Sequence, residues 1–126
     1  MIRELQQLKT DGFWYLASPY SHESARIQDA RAHDANDMAG VLIQNGIYVH
    51  QPIWSTHRIS LEYELPGDHL FWLGFNKAFI DPSVGMIMCD ISGWRESKGC
   101  QQEIEYVRSL DKPIWLLNLH RGLTAL

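Results

Sequence analysis

The sequence predicts a three-layer α/β fold, with a parallel sheet in the order 2-1-3-4 and helices on both faces. Three observations predict it. Short apolar runs, each closed by turn residues, alternate along the 126 residues with stretches of helical period. The apolar runs lack a polar face, as parallel strands buried on both sides require. The connections are long enough for right-handed crossovers.

Residues 2–9 read as a short, weakly amphipathic leading helix. Residues 13–18, FWYLAS, are an apolar run stopped by Pro19 and form the first strand. Ser21 is a candidate cap for a long helix, with Glu23 in its positively polarised first turn. Ala35, Met38, Ala39, Leu42 and Ile43 repeat at helical spacing, and Asn45-Gly46 ends that helix. A second strand covers 47–50, stopped by Pro52. Residues 51–67 have no clear period and carry Trp54, His57, Tyr63 and Pro66; so long a connection is functional or partly helical. Asp68 caps a helix to about residue 80, with Phe71, Phe75, Ala78 and Phe79 on one face. Residues 84–89 form the third strand, with Asp90 at its carboxyl end. A helix from about 98 to 110 and a strand at 114–118 complete the order. The 68–80 helix carries the chain across strand 1, so a switch point opens between strands 1 and 3. Ser18, Asp90 and Glu103 are expected to converge there in one pocket.

The chain reads as one domain, residues 1–126, without repeats or linkers. Its net charge of −4 argues against a polyanionic nucleic-acid partner, which needs a basic surface. No apolar run approaches the ~20 residues of a membrane span, and the opening MIRELQQLKT lacks a signal peptide's apolar stretch. A cytoplasmic protein is the expectation, with Cys89 and Cys100 as reduced core residues. None of the six histidines pairs at i,i+4 and no HExxH occurs, so neither a metal nor an organic cofactor is expected.

The most informative stretch is CDISGWRESKGCQQEIEYV, residues 89–107. On a helix starting at Lys98, Cys100, Ile104, Val107 and Leu110 share an apolar stripe. Glu103 falls inside that stripe while Glu105 points to solvent. A carboxylate on the buried side is costly unless paired or used. Its structural alternative is a hydrogen bond to a loop amide or to Arg58 or Arg95. Asp90 has the alternative of capping a turn. Ser97 is a candidate N-cap, and its hydroxyl with the free amides after it would make an anion site. Tyr20, His50 with Gln51, and Trp94 are candidates for the crevice rim; Trp54 and Trp94 could stack on a base or enter a subunit interface. Tyr15, Trp72 and Trp115 suit the core.

Ser97-x-Gly99-x-x-x-Glu103, behind a strand ending in an acid and ahead of Lys112-Pro113, resembles the nucleoside 2-deoxyribosyltransferase superfamily. The opening Tyr15-Leu16-Ala17-Ser18-Pro19-Tyr20 is similar to that superfamily's first strand and loop. The form Gly93-Trp94-x-x-Ser97-x-Gly99 is closest to a branch of small uncharacterised relatives. The resemblance spans most of 13–118, excepting 51–67. It implies a flavodoxin-like fold, Glu103 as nucleophile, and Asp90 as a catalytic acid or a sugar- or base-binding group. Ser18, Tyr20, His50, Trp94, Ser97 and Gly99 then bind substrate. Ser97 matches the phosphate-binding serine of the deoxynucleoside 5′-monophosphate N-glycosidases. Ser97-Lys98 stands where transferases often carry Asp before the glycine, which favours a phosphorylated ligand. A homo-oligomer is implied as well. The function expected is N-glycosidic cleavage or deoxyribosyl transfer, with a non-catalytic nucleotide-binding protein as the alternative.

Overall fold

The computed structural model describes residues 2–8 and 10–126. A short helix α1 (Ile2–Leu5) runs into a 3-10 turn at Gln6–Leu8; Lys9, the end of the expected leading helix, lies outside the described residues. The elements that follow are β1 (Trp14–Ala17), α2 (Ala25–Gln44), β2 (Val49–His50), α3 (Pro52–Glu62), α4 (His69–Ile80), β3 (Gly85–Cys89), α5 (Lys98–Ser109), β4 (Ile114–Asn118) and β5 (Gly122–Ala125).

The sheet order is β2-β1-β3-β4-β5, parallel except for β5, which returns antiparallel on β4. The predicted 2-1-3-4 core is therefore present, with one further edge strand. β5 escaped the sequence reading because GLTA is short and alternates weakly, while the Asn118 side chain that turns the hairpin serves as a local acceptor. Its Oδ1 accepts from the amides of His120 and Arg121 at 2.8 and 3.0 Å.

Strand alternation divides the core in two. Trp14, Leu16, Ile87, Cys89 and Leu117 pack with Leu5, Leu8, Met38 and Leu42 beneath α1 and α2. Tyr15, Ala17, Met86, Met88 and Ile114 pack with Ile80, Cys100, Ile104 and Val107 beneath α4 and α5. Every residue of β1 and β3 is buried. Both cysteines are free and buried, and burial pushes the Cys100 thiol up to about 12.

Three elements differ from expectation. The cap of α2 is Ser24, whose Oγ accepts from the Ile27 amide at 3.3 Å; Ser21 stays in the preceding loop and bonds the Gly67 carbonyl. Residues 52–62 are helical, started by Pro52 at the first position and by Gln51, whose side chain accepts from the Trp54 amide at 2.8 Å. No apolar period shows there because only Pro52 of that helix is buried. On α4 the face carrying Phe71, Phe75 and Ala78 points outward, and Asn76 and Ile80 turn in.

Lys112 ties the layers together. Its Nζ donates to the carbonyls of Ile80, Asp81 and Ser83 at 3.2, 2.5 and 2.5 Å, pinning the turn from α4 into β3. Among the described residues no helix is long and apolar enough to cross a membrane.

Candidate active site

A cavity of about 420 Å³ opens beyond the carboxyl end of β1. Its walls are the β1–α2 loop, one face each of α3 and α4, and the start of α5. That volume lies within the range of small-molecule sites. Ser18, Tyr20, Ser97, Gly99 and Glu103, all picked out from the sequence, line it together.

Glu103 is the group whose position costs most. It sits one turn into α5 and is 7% exposed. Two donors converge on one oxygen: Tyr15 Oη at 2.5 Å and Asn76 Nδ2 at 3.1 Å, both to Oε2. Oε1 has no hydrogen-bond partner among the described residues. Burial pushes the carboxyl up to about 7, although both hydrogen bonds pull it down. The same burial, then the neighbouring carboxylate, raise the Tyr15 phenol well above its ordinary value, so it stays a donor. Neither Arg58 nor Arg95 reaches Glu103; Arg58 bonds Glu62 and Arg95 lies over the Trp94 ring.

Tyr15 suits the core by its strand position, and its hydroxyl gives it this second role. Asn76 went unremarked in the sequence. Its signal is a lone amide within the apolar run of α4, HLFWLGFNKAFI.

The start of α5 forms another wall. Ser97 is its N-cap, with Oγ accepting from the Cys100 amide at 3.1 Å and the carbonyl from the Gln101 amide at 3.0 Å. The amides of Lys98 and Gly99 have no partner among the described residues and lie at the positive end of the helix. Gly93 precedes it with φ of 97°, and a side chain there would collide with the Arg31 guanidinium, which also lines the cavity.

Asp90 and Trp94 are elsewhere. Both line a separate cleft of about 360 Å³ with Asn118 and Arg121. Asp90 accepts from Trp94 Nε1 at 3.0 Å and from Asn118 Nδ2 at 3.2 Å. One oxygen is thus held by the β3–α5 connection and the other by the end of β4, so the carboxylate does not join Ser18 and Glu103. Trp94 is buried, packed among the residues beneath α5. His50 also misses the cavity. It pairs in register with Tyr15 and stacks on Phe79 at 4.3 Å, which turns its ring into the α4 layer; burial pulls its pKa down. Trp72, expected in the core, instead lines the cavity and donates to the Pro66 carbonyl at 2.7 Å.

Among the described residues no group of three or more His, Cys, Asp or Glu side chains is arranged to hold a metal ion. No curated protein matches the chain. A family model described as a domain of unknown function, DUF1937, matches residues 12–119, from the turn before β1 to the end of β4 and the residue after it. That span holds the four parallel strands and every residue of the cavity, and the chain belongs to the DUF1937 family.

Proposed function

We propose that this protein cleaves, or transfers across, the N-glycosidic bond of a nucleoside or nucleoside 5′-monophosphate, with Glu103 as the nucleophile. One observation carries the reading: a buried carboxylate at a ligand-sized cavity, with one oxygen held by Tyr15 and Asn76 and the other unengaged. Cleavage builds positive charge at the anomeric carbon, and an ionised carboxylate there stabilises or captures it. The hydrogen bonds on Oε2 fix the carboxylate's rotation and leave Oε1 for the sugar. A glycosyl ester formed on Oε1 is released by water in a hydrolase, or by a second base in a transferase. The Ser97 end of the cavity, with the free amides of Lys98 and Gly99 and the Arg31 guanidinium, suits a 5′-phosphate.

A second reading is a nucleotide-binding protein without turnover. It is favoured by the place of Asp90, which leaves Glu103 without the second acid that the resemblance supplies. Incubation with a panel of nucleosides and their 5′-monophosphates, with free base measured chromatographically, separates the two. The parent is expected to release base and Glu103→Ala to release none. Turnover by the alanine variant close to the parent's would remove the nucleophile assignment. Tight nucleotide binding without base release would favour the second reading.

A further inference from the structure

With Asp90 outside the cavity, the proton that a departing base requires must come from another group. Tyr20 lines the cavity, and its hydroxyl lies 2.5 Å from His57 Nδ1. His57 Nε2 lies 3.3 Å from Asp29 Oδ1, and the other oxygen of Asp29 is 3.6 Å from His33 Nε2. The imidazole of His57 is 12% exposed in its side chain, whereas Asp29 is 59% exposed. A continuous hydrogen-bonded chain therefore runs from open solvent on α2, through a nearly buried histidine on α3, to a phenol on the cavity wall. Three separate elements contribute to it, and no strand or helix needs it for its own backbone bonds.

We propose that Tyr20 is the general acid of this site, recharged with protons through His57 under the control of Asp29. The proposal rests on the glycosidic reading above. Asp29 accepts Nε2–H and so fixes the tautomer that aims Nδ1 at Tyr20, as a carboxylate orients histidine in a hydrolase triad. With His57 as the imidazolium, Tyr20 gives its O–H proton to the ring nitrogen of the base. The C–N glycosidic bond breaks and its electron pair stays with that nitrogen. Glu103 Oε1 bonds the anomeric carbon, and Nδ1–H returns a proton to the phenolic oxygen. One carboxylate and one imidazolium become an ester and a neutral imidazole, and the base departs neutral. The water that hydrolyses the ester gives its hydroxyl to the anomeric carbon and its proton through Tyr20 to His57, which restores the carboxylate and the imidazolium.

Burial raises the Tyr20 phenol above its ordinary value, with Asp29 adding to the effect, so the group rests as a neutral acid rather than a phenolate. Tyr20 is the catalytic residue in this scheme; His57 and Asp29 are positioning residues. Other acids on the cavity wall are less suited. Asp68 is committed as the cap of α4, accepting from the Leu70 amide at 2.7 Å, Cys100 is held as a thiol by burial, and Glu96 is exposed to solvent at the rim.

The test compares the parent, Tyr20→Phe, His57→Gln and Glu103→Ala on two substrates. One is a purine nucleoside or its monophosphate, and the other is its N7-methylated analogue, whose base is already cationic and leaves without a proton. Tyr20→Phe is expected to lose about a hundredfold or more on the first and to stay within a few-fold of the parent on the second. His57→Gln follows the same pattern less severely, and Glu103→Ala is inactive on both. Equal losses by Tyr20→Phe on both substrates, or none on either, would overturn the acid assignment while leaving Glu103 standing. A parent inactive on both overturns the glycosidic reading and this role with it. Independently of turnover, imidazole ¹⁵N spectra should show the Nε2–H tautomer for His57 and a change at Nδ1 in Tyr20→Phe; an Nδ1–H tautomer would overturn the relay.

Discussion

At the scale of single residues, Glu103 carries the proposed chemistry, and the cost of burying it can be measured. A carboxyl held at about 7 against an ordinary 4.5 binds its proton more tightly when folded than unfolded. Its contribution is therefore most favourable below about pH 4.5, declines as pH rises towards 7, and is a constant penalty above that. Glu103→Gln should remove this slope and leave the variant more stable than the parent at pH 8, by up to roughly 3 kcal/mol. Denaturant melts at pH 5 and pH 8 check it; a parent stability that rises over that interval through Glu103 contradicts it. The proposed activity has the opposite dependence, because Glu103 must be ionised to act as its nucleophile, so the rising limb of kcat/KM should follow an apparent pKa near 7. Tyr15→Phe removes one of the bonds that hold the charged form. Its rising limb should move to higher pH, with a stability loss of about 1–3 kcal/mol for an under-satisfied buried group.

Among the elements, the start of α5 makes the sharpest distinction between structure and binding. Ser97→Ala removes a cap and should cost about 1 kcal/mol whatever the ligand. Gly99→Ala should be tolerated by the fold, since an added Cβ would meet only His69 Cβ at 3.7 Å and Ser97 Oγ at 3.8 Å, and alanine favours the helix. It nevertheless intrudes on the cavity. Calorimetry should therefore show the preference for a monophosphate over its nucleoside, expected at about tenfold to a hundredfold for a charge-assisted contact, falling in Gly99→Ala without any loss of stability. An undiminished preference would place the phosphate elsewhere. This helix was legible because its stripe, cap and misplaced carboxylate all follow from a 100° periodicity. The second helix of the cavity was not. Residues 52–62 bury little, so burial imposes no period on them, and His57 cannot be paired with Tyr20 and Asp29 by any spacing along the chain. Asp90 misled for a related reason: the end of a strand fixes where an acid stands but not which neighbour turns its side chain.

For the whole molecule, the parallel order and the switch point were readable because uninterrupted apolar strands alternate with long helices. The partition of residues between two clefts was not readable, since it depends on the rotation of side chains at one rim. The outward face of α4 belongs to this scale as well. Leu70, Phe71 and Phe75 are exposed on a helix with Lys77 as its only formal charge, and they flank the cavity wall formed by His69, Trp72, Leu73 and Asn76. We propose that this face joins two copies of the chain, as the homo-oligomer implied by the resemblance would require. Sedimentation should give a dimer for the parent and a monomer for Phe71→Glu; a monomeric parent at high micromolar concentration counts against it.

The most direct test of the central claim is covalent trapping of the nucleophile. Fluorine at C2 of a nucleoside or its monophosphate destabilises the oxocarbenium-like transition states of both ester formation and ester hydrolysis, so with a base that leaves readily the glycosyl ester accumulates. After incubation and proteolysis, the peptide containing Glu103 should carry the mass of the fluorinated sugar, with one equivalent of base released and no adduct in Glu103→Ala. Base release with the adduct on another carboxylate such as Asp90, or turnover of the natural substrate with no trapped Glu103 ester, would contradict the account.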